Sequence, residues 1–182
     1  MNDWFPLVPG TSLRYSLERA GARGFLRLEI LFARRRGRAT LARGRRVTVW
    51  EGAAPRIDAV DLVSGPGGAK AGDEFEFKGP VVLGTRWFSG SDECWIDGFD
   101  GVVETPAGRF TGCLRVAYLI AGGDAGSGER LYAPGVGLVR VEHRDEADPY
   151  VWELIERTGV RRTRPNRVRD PRTAVPAGRT SY

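Results

Sequence analysis

One histidine, two cysteines and two lysines in 182 residues leave few of the groups that nucleophilic catalysis and metal binding usually require. Two cysteines are too few for a disulfide scaffold. Cys94 and Cys113 flank the turn Thr105-Pro106-Ala107-Gly108. Pairing Thr105 with Gly108 sets Cys94 opposite Leu119, about 20 Å along the strand from Cys113, so two reduced thiols are expected. No apolar run approaches the ~20 residues of a membrane-crossing helix. No segment repeats its apolar residues at about 3.6-residue spacing over several turns, which argues against a helical fold. Met1-Asn2-Asp3-Trp4-Phe5-Pro6 has no basic region followed by a hydrophobic run, so the expected compartment is the cytoplasm, with the envelope as the alternative if a leader precedes these residues.

What the chain does have is alternation, glycine and arginine. Leu26, Leu28, Ile30 and Phe32 alternate with Arg27 and Glu29, the period of two of a half-buried strand. Further strands are expected over 11–19, 39–50, 57–63, 75–78, 81–88, 93–104, 109–121, 131–142 and 150–156. Many of the 25 glycines fall between them, at turn positions. Pro106 suits the second position of a tight turn and Gly108 the fourth. About ten strands joined by short turns predict an all-β fold, a curved antiparallel up-and-down sheet or half-barrel, with a β-sandwich as the alternative. The β domain is expected over 1–158 and an Arg/Pro-rich disordered tail over 159–182.

Charge divides by region: +8 over residues 1–50, −10 over 51–156 and +7 over 157–182. Arginine grips phosphate and carboxylate through a planar fork, so the arginine-rich segments are the candidate partner-binding residues: Arg34, Arg35, Arg36, Arg38, Arg45 and Arg46 on one hairpin, Arg161, Arg162 and Arg164 in the tail. Self-neutralising surface charge, an acidic protein partner, and nucleic acid or an anionic surface all remain open. Aromatics are not interleaved with these arginines to stack bases, which weakens the nucleic-acid reading.

Other constellations have simpler structural readings. His143 ends a strand in phase with Val139 and Val141, and nothing in the sequence ties it to a nucleophile. Cys94, Cys113 and His143 lack the paired short spacings of a zinc site. Asp92, Glu93, Asp97 and Asp100 do not match a calcium loop, and alternation would scatter them over two faces. Gly65-Pro66-Gly67-Gly68 lacks the Lys-Ser/Thr of a phosphate loop. No cofactor is expected. Trp4, Trp50, Trp87, Trp95 and Trp152 read first as core packing, and second as the lining of a hydrophobic ligand site.

Phe5-Pro6-Leu7 with Pro9-Gly10, Tyr15, Thr105-Pro106-Ala107-Gly108 with Phe110, Cys113 and Val116, and Tyr132 through Val139 together resemble an uncharacterised bacterial family labelled TapB-like, often found as envelope lipoproteins. The chain has Leu13 where that family has Trp. The family is more distantly similar to half-barrel envelope proteins that hold acyl chains on a concave face. The resemblance implies a β half-barrel and no catalytic residues. The expected function is a non-enzymatic binding or assembly module working through protein contacts, with carriage of a hydrophobic small molecule, or association with nucleic acid or an anionic surface, as alternatives.

Overall fold

The computed structural model describes residues 4–159, and its strands confirm the all-β reading. Twelve strands form one antiparallel sheet: β1 (Ser12–Arg19), β2 (Ala22–Arg36), β3 (Ala39–Trp50), β4 (Arg56–Gly65), β5 (Gly68–Ala71), β6 (Glu74–Lys78), β7 (Arg86–Ser89), β8 (Asp92–Thr105), β9 (Gly108–Ile120), β10 (Gly126–Ala133), β11 (Gly137–Asp145) and β12 (Tyr150–Thr158). A single 3-10 turn, Ala121–Gly123, interrupts them. The strand order is β6-β5-β4-β3-β2-β1-β12-β11-β10-β9-β8-β7. Chain neighbours are therefore sheet neighbours everywhere except at β6 and β7, and β1 pairs with β12 in the middle. The two free edges, β6 and β7, follow one another in sequence and meet where the sheet has curled almost into a barrel.

Two strands more than expected come from two places. The segment read as one strand over 131–142 is a hairpin, broken at Pro134-Gly135 with Gly135 at φ 70°. Residues 68–71, where no strand is expected, form β5. Conversely, residues 81–85 are not strand but a loop that begins at Pro80 and ends in β7. β12 ends at Thr158. The disordered-tail expectation lies outside the described residues.

The expected β8–β9 hairpin is present, with Thr105 opposite Gly108. Its register slips between Ile96 and Val103, however, so Cys94 faces Tyr118 rather than Leu119. Such bulges put two residues opposite one and bend the strand. The bend carries the far half of the hairpin back across the sheet, where the Ala107 N–H donates to the Leu154 carbonyl (3.2 Å) and Trp4 Nε1 donates to the Gly112 carbonyl (3.3 Å). Two packed clusters result. One fills the curl with Phe77, Trp87, Ile96, Leu114, Val116, Tyr118 and Tyr132. The other joins Val103 and Cys113 of the bent hairpin to Tyr15, Leu17, Leu131, Val139 and Leu154. Leu28 and Leu138 pack against both.

One cross-strand row shows how glycine shapes the inside. Cys94, Tyr118, Gly128, His143 and Tyr150 stand side by side on β8 to β12. Because Gly128 has no side chain, the Tyr118 ring lies flat across β10 and reaches β11. A Cβ built at Gly128 would overlap the Tyr118 ring and hydroxyl and lie 2.7 Å from the Glu142 carbonyl. Gly128→Ala should therefore destabilise the fold by about 1–3 kcal/mol, the usual cost of overpacking a filled interior. Urea denaturation of the variant beside the wild type measures this, and an unchanged midpoint would refute it.

Candidate functional site

The inside of the curl carries a polar chain embedded in apolar packing. The Tyr118 hydroxyl shares a hydrogen bond with His143 Nδ1 (2.9 Å). The His143 ring stacks on Tyr150, with centroids 4.3 Å apart and planes 16° from parallel. On the other side of Tyr118, the Arg130 guanidinium lies 5.2 Å from its ring centroid. Arg130 Nη1 also donates to the Phe75 carbonyl on β6 (3.4 Å). One turn of alternation further along β10, Tyr132 donates to Glu76 Oε2 (2.5 Å) and stands 5.2 Å edge-on from the Phe77 ring. Glu76 thus crosses the lumen from the free edge to the opposite wall.

Electrostatics follow burial. Burial works against the Arg130 charge, but the Tyr132, Glu76 and Tyr118 oxygens outweigh it and raise its pKa, so the guanidinium stays charged. Tyr132 is pushed well up by burial and then by Glu76, and Tyr15 is raised by the same two causes. Burial lifts both thiols above their usual range. Cys94 and Cys113 are free and buried, protonated and poorly nucleophilic. His143 is held below the usual histidine value of 6.5 by burial, with Asp145, Asp92 and Asp148 opposing. Its Nδ1 is occupied by Tyr118 and one ring face by Tyr150.

Beside this polar chain lies an apolar cleft of about 90 Å³, walled by Leu13, Leu26, Leu28, Ile30 and Leu62 and roofed by Phe5-Pro6-Leu7. Glu76, Tyr15 and Arg46 border it. The lead-in that forms the roof is fixed at its far end, where Gly10 N donates to the Ile30 carbonyl (2.8 Å). Trp152 also lines the cleft, and Trp87 is buried in the core, whereas Trp95 faces outward with Arg86 over its ring and its Nε1 on Asp97. The five tryptophans therefore do not share one face.

The candidate arginines separate into three groups. Arg45 is clamped by Glu29 (2.5 Å) and Arg46 lies 3.6 Å from Asp58, so both are engaged within the β2–β4 surface. Arg34, Arg35, Arg36 and Arg38 are exposed at the β2–β3 tip, with no carboxylate within salt-bridge distance among the described residues. Arg161, Arg162 and Arg164 lie outside the described residues. The acidic stretch is dispersed: Glu93 pairs with Arg86, Asp97 with Arg115, and Asp92 accepts from the Ala121 N–H. Among the described residues no group of three or more His, Cys, Asp or Glu side chains is placed to hold a metal ion.

Solved structures share this architecture. A candidate exported protein with a YmcC-like fold from Bacteroides fragilis superposes with a TM-score of 0.65 at 14% identity, over 87% of this chain and 100% of that one. The chain shares that fold. A candidate lipoprotein from Parabacteroides distasonis superposes at 0.59 and 15% identity, over 86% of this chain and 99% of that one. No family model matches the sequence, and no curated protein does. The likeness to envelope lipoproteins is thus carried by the fold, at distant identity. The cytoplasmic expectation is corrected by the same neighbours, whose descriptions point to the envelope. That expectation rested on six residues, whereas the shared fold extends over most of the chain. Among the described residues no helix is long and apolar enough to cross a membrane.

Two measurements test the site's construction. Tyr132→Phe should lower stability by about 1–2 kcal/mol, because Glu76 loses the donor that meets it across the lumen. An unfolding free energy unchanged in urea would show that the crossing contributes nothing. His143, favoured neutral in the fold, contributes stability present above about pH 6.5 and lost as pH falls through its lowered folded value. His143→Phe should keep the stack and make the acid-side fall of Tm shallower. Thermal unfolding at neutral and mildly acidic pH reads the difference, and parallel curves would contradict it.

Proposed function

We propose that the protein is a non-enzymatic binding module of the bacterial envelope, and that it holds a small apolar group inside its curled sheet. The cleft carries this reading: aliphatic walls closed by a short proline-containing strap, with polar atoms gathered on one side. At about 90 Å³ it is smaller than the roughly 150 Å³ apolar cavity that admits benzene. It suits a methyl-branched or short alkyl end, and a longer chain would have to displace Phe5-Pro6-Leu7. The engaged His143 and the two protonated, buried thiols support a role without covalent chemistry. Membership of the TapB-like family belongs to this proposal and rests on Thr105–Phe110 and Tyr132–Val139. Work through an acidic protein partner has less support, because Arg45 and Arg46 already have carboxylates of their own.

Native mass spectrometry of protein purified from bacterial cells should show an adduct that organic extraction removes. Leu28→Trp, which fills the cleft, should abolish the adduct while the protein stays folded by circular dichroism. A clean apo mass for the wild type would sink the proposal.

A further inference from the structure

The β2–β3 hairpin extends past the strand that should cover it. β1 pairs with β2 only as far as Ser12 opposite Glu29, and the lead-in adds two bonds at Ile30. From Leu31 to Arg36 the strand is held by β3 alone. A bulge between Ile30 and Phe32 turns Leu31 and Phe32 outward, leaving them 53% and 58% exposed. Beyond them come four arginines with no ion pair among the described residues, Arg34, Arg35, Arg36 and Arg38, around the Gly37 turn.

This tip does not stand alone. A Cβ at Gly65 would lie 3.0 Å from Ala39, so the β4–β5 turn packs directly beside the hairpin turn. Gly79 N donates to the Gly67 carbonyl (2.9 Å), which brings the 79–85 loop next in line. That loop presents Val82 and Leu83, 53% and 68% exposed. The three segments forming this rim, residues 30–42, 62–72 and 77–85, contain no acidic residue, and every charged side chain in them is Arg or Lys. Elsewhere the surface arginines are interlaced with carboxylates, as in Arg43–Asp61, Arg45–Glu29 and Arg86–Glu93.

We propose that this rim docks on the surface of a bilayer rich in anionic phospholipid. The rim carries both halves of that chemistry: arginines to meet lipid phosphates, and protruding aliphatic and aromatic side chains to enter the interface between them. A nucleic acid would use the arginines but gain nothing from Leu31, Val82 and Leu83, and the rim offers one exposed ring where base stacking needs a platform. The inference does not rest on the apolar cleft: Ile30, Leu62 and Ala71 of these segments line that cleft, but the exposed Leu31, Phe32, Val82, Leu83 and the tip arginines do not.

Co-sedimentation of the full chain with vesicles tests it. Wild-type protein should pellet with vesicles of phosphatidylcholine containing phosphatidylglycerol, and not with phosphatidylcholine alone. Binding should weaken as salt is raised. Arg34→Glu/Arg36→Glu/Arg38→Glu should bind about a hundredfold more weakly, given the contribution of each basic side chain near an anionic surface. Leu31→Ser/Phe32→Ser should bind at least several-fold more weakly at unchanged charge. Thermal unfolding of both variants should match wild type, since the altered side chains are exposed. Vesicle binding that survives the charge reversal would overturn the proposal. So would an apolar double variant that binds vesicles like wild type, which would leave a generic polyanion site, as would equal binding to neutral vesicles.

Discussion

The structure depends on one contact across the lumen, Tyr132 of β10 on Glu76 of β6. An antiparallel meander has no intrinsic reason to stop curling at a given radius, and its twist alone leaves two free edges. Here the edge strand β6 is tied to the far wall through the Tyr132 hydroxyl, the Arg130 bond to the Phe75 carbonyl and the edge-on Phe77 ring. Those ties fix the diameter. The cleft, the buried Arg130 and the Tyr118 ring beside it all lie within the space they define. The tie joins a carboxylate to a neutral donor, so its worth lies in leaving neither group buried without a partner.

Much of the sheet was legible in the sequence because period-two alternation and turn residues are local signals. The strand carrying Leu26, Leu28 and Ile30 and the Pro106–Gly108 hairpin appear where those signals place them. What was not legible depends on bulges. Glu76 sits between Phe75 and Phe77, and alternation assigns it to solvent. The β5–β6 register instead pairs Ala69 with Phe77 and Lys70 with Phe75, leaving Glu76 as the extra residue, and it turns inward. The same kind of slip moved Cys94 from Leu119 to Tyr118. No spacing rule foretells where a strand takes an additional residue, yet each slip exchanges inside for outside. The 131–142 segment shows a different limit. Its apolar content is continuous, and only the Pro134-Gly135 turn divides it into two strands.

The arginines teach the same lesson in charge. Counting by region sets an acidic body between basic flanks, but in space the body and the first flank interleave strand by strand. Arg43 meets Asp61 across adjacent strands, and Arg46 lies beside Asp58. Exposed pairs of this kind contribute little to stability, about 0–1 kcal/mol each. Their greater effect is to cancel the field over most of the wall and leave it concentrated where β2 and β3 outrun their neighbours. The charge seen in composition is thus not the charge a visitor meets.

Because β1 and β12, the first and last of the described strands, are adjacent in the middle of the sheet, the barrel's slit falls at β6 and β7, between two consecutive stretches of chain. Among the described residues eleven strand pairings hold the wall together, and none of them spans the slit. Widening the lumen would therefore strain only side chains and the 79–85 loop, while every backbone ladder stays intact. The container is built like a cuff, with a hinge at its paired middle, β1 on β12, and a clasp made of one tyrosine, one arginine and one glutamate.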